Sequence, residues 1–247
     1  MGIRVGSRLS DLTWPALAEG QAPGDGQLLV VPVGSCEQHG PHLPFDTDTR
    51  IALALAERLA ERFERIIVAP ALGITASGEH QSFPGTLSIG TTAFEHVVVE
   101  LARSALPPPE LDLPSPFEAV LFVNGHGGNV VPFTHAEALL RSESRDVRVW
   151  HPQVPGGDSH AGFTETSILL HIDPDCVRKD CMVVGSTRRW REIATSVVEA
   201  GLASVAPNGI LGDPSDANAI DGEEIFETLS GGLVERALEW FPLLGEP

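Results

Sequence analysis

Short unbroken apolar runs alternate along the chain with stretches in which apolar residues recur every three or four positions. "LLVVPV" (28–33) has the length and continuity of a buried strand. "DTRIALALAERLAERF" (48–63) carries its apolar residues at helical spacing. A second pair follows, "RIIVAP" (65–70) as strand and "TTAFEHVVVELARSAL" (91–106) as helix. "EAVLFVN" (118–124) and "VRVWH" (147–151) read as further strands, with the helical "VVPFTHAEALLRSES" (130–144) between them. "TETSILLHI" (164–172) opens with a threonine at the cap position and a glutamate in its first turn, a helix start. Strand–helix alternation predicts an α/β fold with a mostly parallel sheet covered on both faces. "PPPELDLPSP" (107–116) falls between a helix and a strand and reads as a surface loop, so one domain over 1–247 is expected. No repeat or low-complexity segment interrupts the pattern.

In open α/β sheets, ligands gather beyond the carboxyl ends of the strands. That rule selects 34–48 after the first strand, 124–129 after "LFVN", and 151–165 after "VRVWH". The first of these, "GSCEQHGPHLPFDTD", brings Glu37, His39 and Asp48. Glu37 and His39 stand two residues apart, so an extended segment projects both to the same side. "NGHGGN" (124–129) puts His126 on a glycine-rich turn where backbone can approach a ligand. "GGDSHAGFTETS" (156–167) adds Asp158, His160 and Glu165. A His/carboxylate set without thiolate suits Zn²⁺, Mn²⁺ or Fe²⁺. The number of donors exceeds what one open catalytic zinc needs and fits two cations about 3.5–4 Å apart with a bridging carboxylate.

Each of these residues also has a plainer reading. Glu37 and Asp48 are types usually found exposed, and Glu165 is favoured in a first helical turn by the dipole. Glu79 and His80 in "SGEHQSF" are expected to rim the pocket. His42, between Pro41 and Pro44, reads equally as scaffold or functional residue. Asp46 reads as a turn residue or a partner of the ligands, and Cys36 as a small packed side chain. His96, His135, His151 and His171 fall in helix or strand patterns and read as structural. "NGHGGN" lacks a P-loop lysine and the G-x-G-x-x-G spacing, which argues against nucleotide binding. No G-x-S-x-G elbow supports a covalent serine route.

Composition narrows the partners. The chain has 247 residues and a net charge of −18, which disfavours nucleic acid and anionic lipid. No apolar stretch reaches the roughly 20 residues of a membrane span. "MGIRVGSRLSDL" has no apolar h-region, so no secretory signal is expected. The three cysteines, Cys36, Cys176 and Cys181, make no metal-finger spacing and no disulfide framework, and a cytoplasmic location is expected.

"GS.EQHGPHLP..TD", "NGHGGN" and "HAG..ETS", in that order, resemble the creatininase family of dinuclear metal amidohydrolases. The resemblance implies a three-layer α/β/α sandwich assembled as a homo-oligomer, usually a hexamer. It implies that Glu37, Asp48 and His126 hold one cation, and that His39, Asp48 and Glu165 hold the other, with Asp48 bridging. His160 matches the family histidine that handles a proton near the scissile bond. Creatininase itself has Tyr and Glu where this chain has Gly127 and Gly128, which argues for a roomier site and against creatinine. "ASGEHQSFPGTLSIGT" (76–91), "PGGDSHAGFTETSILLHIDPDCVR" (155–178) and "GILGDPSDANAIDGEEIF" (209–226) are similar to a peptidase branch of the family. That branch trims a modified ribosomal precursor peptide, releasing a C-terminal Val-Tyr-derived fragment that becomes the core of a redox cofactor. Glu79, His80, Gly127 and Gly128 are then the expected substrate-binding residues. The competing expectations are a hydrolase of a small cyclic amide or formamide, and a metal-dependent binding protein without chemistry.

Overall fold

The computed structural model describes residues 6–18, 26–111 and 113–245. Among the described residues five strands form one sheet: β1 (Ser7–Arg8), β2 (Gln27–Val33), β3 (Ile66–Val68), β4 (Phe117–Asn124) and β5 (Val147–Trp150). Their order is β1-β3-β2-β4-β5, and every pairing is parallel. β2 is buried along its whole length. Both of its faces are covered, which is why its sequence is a continuous apolar run and not an alternating one.

Seven α-helices accompany the sheet among the described residues: α1 (Trp14–Ala18), α2 (Thr47–Ala60), α3 (Thr91–Ala105), α4 (Val130–Ser142), α5 (Phe163–Ile172), α6 (Trp190–Ala200) and α7 (Ala219–Trp240). Successive strand residues point to opposite faces. Leu28, Val30, Leu121 and Val123 therefore pack with Leu55 and Leu59 of α2, Ile168 of α5 and Leu233 of α7. Leu29, Val31, Val120 and Phe122 pack on the other face with Phe94 and Val98 of α3 and Phe133 and Leu140 of α4. Phe94 meets Phe133 edge-on with ring centroids 5.1 Å apart. The result is the expected three-layer α/β/α sandwich.

The strand expected over 65–70 is shorter, because Pro70 has no N–H to donate to a ladder. The helix expected over 164–172 starts at Phe163, and Thr164 is not its cap. The Asp158 carboxylate instead accepts the N–H groups of Phe163 and, at 3.0 Å, of Thr164. This anchors the first turn of α5, the turn that carries Glu165. Residues 107–111 and 113–116, between α3 and β4, are half- to fully exposed, as expected of a surface loop.

Candidate metal centre

β2 ends at Val33, and the chain then runs past Ser35, Glu37 and His39 before α2 begins at Thr47. Asp48 lies in the first turn of α2, His126 follows β4, and His160 and Glu165 straddle the start of α5. All lie beyond the carboxyl ends of β2, β4 and β5, where the strand directions of a parallel sheet place a ligand site.

Asp48 is the hub. Its Oδ1 is 3.0 Å from His39 Nε2, and its Oδ2 is 3.2 Å from His126 Nδ1. Ser35 Oγ donates to Oδ2 at 2.7 Å and fixes the carboxylate. Donor atoms of Glu37, Asp48 and His126 lie within 4.8 Å of one another, and so do those of His39, Asp48 and Glu165. These are the two triads that the resemblance implies, sharing one carboxylate. Glu37 also groups with His39 and His160, and with Glu79 and His80.

The chemistry of these donors fits cations. Glu37 is fully buried, neither carboxylate oxygen accepts a well-aligned hydrogen bond, and the rings of His80 and His126 approach it, each at 3.2 Å. A buried carboxylate so weakly satisfied is costly, a penalty that a bound cation removes. His39 Nδ1–H donates to the Glu37 carbonyl at 3.1 Å, and His126 Nε2–H donates to the Ala76 carbonyl at 2.9 Å. Each ring thereby turns its other nitrogen toward Asp48, the arrangement by which ligating histidines are oriented.

The metal-free electrostatics record the same crowding. Burial opposes charge on His39, but Asp48, Glu165 and Glu37 outweigh it and raise its pKa to about 10. Burial also opposes charge on Asp48, where His39 and His126 win and hold the carboxyl well below its usual range. Glu165 is pushed up to about 7, chiefly by burial. Its Oε2 accepts the Ala161 N–H at 2.6 Å.

Gln38, which sequence reasoning passed over, sets two further rings. Its Oε1 accepts the Gly40 N–H at 2.9 Å, so its amide nitrogen is the donor, reaching Gly209 O and His80 Nδ1, each at 3.0 Å. His80 is therefore protonated at Nε2, 3.2 Å from Glu37 Oε1. His160 Nε2 is held between the Gln38 carbonyl at 2.9 Å and the Gln38 amide nitrogen at 3.0 Å, and His160 Nδ1 faces Glu37 Oε1 at 3.7 Å. Burial, then His39 and His80, push the His160 pKa well down and keep the ring neutral.

The other expected site residues divide. Glu79 lies beside the centre, Oε1 3.6 Å from His126 Nε2, and His80 is deeper than a rim position, 4% exposed. Gly127 borders a cavity of about 260 Å³ that also touches Asp48, His126, His160 and Glu165. A Cβ at Gly127 would meet nothing within 4 Å. Gly128 gives no such room: a Cβ there would stand 2.4 Å from both Ala76 O and His126 Nε2, and 2.5 Å from Glu79 Oε1. The Glu79 carboxylate occupies the space that a side chain at 128 would claim.

His42 is scaffold, buried with Nε2 2.9 Å from Thr166 Oγ1. Asp46 pairs with Arg50 Nε at 2.8 Å and does not reach the centre. Cys36 is a half-buried free thiol. His135 is exposed and 3.3 Å from Glu95, and His171 packs on Phe226. His151, expected to be structural, lines the cavity instead.

The family model for creatininase, described as creatinine amidohydrolase, matches residues 10–237. The chain belongs to the creatininase family. The mycofactocin precursor peptide peptidase of Mycolicibacterium smegmatis is 49% identical to it over 222 residues, 87% of this chain and 86% of that protein. The protein of the same name from Mycobacterium tuberculosis is 44% identical over 232 residues, 90% and 89% of the two chains. A solved mutant creatininase described as Zn-Zn type superposes with a TM-score of 0.78 at 25% identity, covering 95% of this chain and 98% of that one.

Proposed function

We propose that the chain is a dinuclear-metal peptidase that hydrolyses the amide bond before the modified C-terminal Val-Tyr unit of the mycofactocin precursor peptide, releasing the cofactor core fragment. The hydrolase reading is carried by Asp48, one buried carboxylate shared by two donor triads. The substrate reading is supported by relatives of that name, 44% and 49% identical over most of the chain. Glu37, Asp48 and His126 would hold one cation, and His39, Asp48 and Glu165 the other, with zinc, iron or manganese all suited to these donors. The same reading takes the chain as one catalytic domain in a cytoplasmic homo-oligomer, a hexamer by family likeness. Among the described residues no helix is long and apolar enough to cross a membrane.

Bound divalent cations supply Lewis acidity, which makes water acidic near neutral pH and polarises a carbonyl. The chain's own residues do the rest. His160 is neutral and presents Nδ1 toward the centre, so it takes a proton there and hands it to the leaving amine. Gln38 contacts Nε2 through both its carbonyl and its amide and so holds the ring in place. Ser35 and the carbonyls of Glu37 and Ala76 hold the donors in place before substrate arrives, which removes reorganisation from the reaction. Gly127 leaves one wall open for a peptide.

The test is mass spectrometry of the metal-loaded protein with modified precursor, unmodified precursor and creatinine in parallel. Release of the C-terminal fragment from the modified precursor alone is expected, because cross-linking fixes the shape of the reacting end beforehand. Rapid creatinine hydrolysis, or an intact modified precursor, would move the assignment to a small cyclic amide or formamide.

A further inference from the structure

His151 follows β5 and lines the cavity beside the metal centre, which the apolar side chains of Ile51, Val154, Ile168 and Leu229 also line. Its tautomer is set by a chain of amides that begins at the backbone. The Ala76 N–H donates to Asn129 Oδ1 at 3.3 Å, so the Asn129 amide nitrogen is the donor to Gly34 O and to Asn124 Oδ1, each at 3.1 Å. Asn124 Oδ1 also accepts the His126 N–H at 3.3 Å. The Asn124 amide nitrogen is thus its donor end, and it reaches the His126 carbonyl at 2.7 Å and His151 Nδ1 at 3.0 Å. A ring nitrogen that faces an amide N–H must accept, so the proton of His151 is on Nε2. Among the described residues no protein group takes that proton, although the ring is half-buried. Burial, with no neighbouring charge, pushes the His151 pKa down. A cavity that combines apolar walls with a few oriented polar groups is the usual construction of a selective small site.

We infer that His151 is a substrate-anchoring residue: its Nε2–H holds an acceptor oxygen borne on an apolar group that fills the cavity. Asn124 and Asn129 are positioning residues that keep this nitrogen protonated. The inference rests on the peptidase reading only for the molecule that carries the oxygen. A donor with no partner discriminates strongly, since a ligand that buries it without an acceptor leaves it unpaired.

Two measurements decide it. In the first, ¹⁵N-histidine NMR of the zinc-loaded protein is followed during titration with p-cresol and with toluene, probes of similar shape with and without the oxygen. His151 is expected to be protonated at Nε2, and p-cresol to bind roughly threefold to tenfold tighter than toluene, the yield of one neutral hydrogen bond. His151→Phe should erase that preference. A proton on Nδ1, or the same preference in His151→Phe, would overturn the inference. In the second, kcat and KM for the modified precursor are compared. His151→Phe should lower kcat/KM about tenfold, and His151→Gln, which keeps a donor, should regain most of it. Unchanged kinetics in His151→Phe would also overturn it. If the wild type leaves the peptide intact, the peptidase reading fails and the probe titration alone decides the role of His151.

Discussion

At the scale of residues, the proposed function assigns proton handling and metal holding to different side chains. His160 faces Glu37 Oε1 at 3.7 Å, and its outer nitrogen is tied to the Gln38 carbonyl. His160→Ala is therefore expected to keep both cations and lose roughly 10²–10⁴ in kcat, the range for a lost acid–base group. Elemental analysis beside the rate checks this, and loss of a cation in that variant would make His160 a ligand. The donors themselves were legible in the sequence, because their spacing and order are carried by three short segments. Gln38, Ser35 and Asn124 were not. Their roles depend on which ring or carboxylate each amide or hydroxyl meets, and Gln38 reaches partners 42 and 171 positions away. His151 was misread because a polar residue at a strand end has the same local pattern whether it faces core or cavity.

At the scale of elements, α2, α3 and α4 announced themselves by helical period, the buried strands by unbroken apolar runs, and α5 by the threonine and glutamate near its start. α7 did not, although it is the longest helix described. Gly222, Gly231 and Gly232 interrupt it, and each glycine costs a helix about 1 kcal/mol relative to alanine. Tertiary packing overrides that cost. Gly222 lets α7 lie directly on α5: a Cβ there would be 1.9 Å from the Ser167 carbonyl oxygen, a backbone atom that cannot step aside. Gly222→Ala is expected to destabilise the metal-loaded protein by about 1–3 kcal/mol, the range for overpacking. Gly231, where a Cβ meets nothing within 4 Å, should instead tolerate alanine or gain up to about 1 kcal/mol. Denaturant midpoints of the two variants measure the contrast, and equal effects would contradict the close approach of α5 and α7. Because α5 carries Glu165, Gly222→Ala should also weaken metal binding.

At the scale of the whole molecule, the loops at the carboxyl ends of the sheet converge on one buried centre that holds protons when it lacks cations. His39, with a pKa of about 10, is protonated at neutral pH without cations, His126 is, despite burial, held protonated by Glu37 and Asp48, and Glu165, at about 7, is partly protonated. Ligation needs all three in their basic forms. Metal uptake at pH 7 should therefore release about two to three protons per chain, and affinity should rise with pH and fall as pH drops below 7. Titration calorimetry in buffers of different ionisation heat reads that number, and uptake without proton release would contradict the assignment of His39 and Glu165. The central claim, two cations bridged by Asp48, is tested most directly by metal stoichiometry of the active protein. Inductively coupled plasma mass spectrometry should find about two divalent ions per chain in the wild type and clearly fewer in Asp48→Ala, with peptide cleavage lost alongside. Full cleavage by a preparation shown to be metal-free, or an unchanged metal content in Asp48→Ala, would contradict the account.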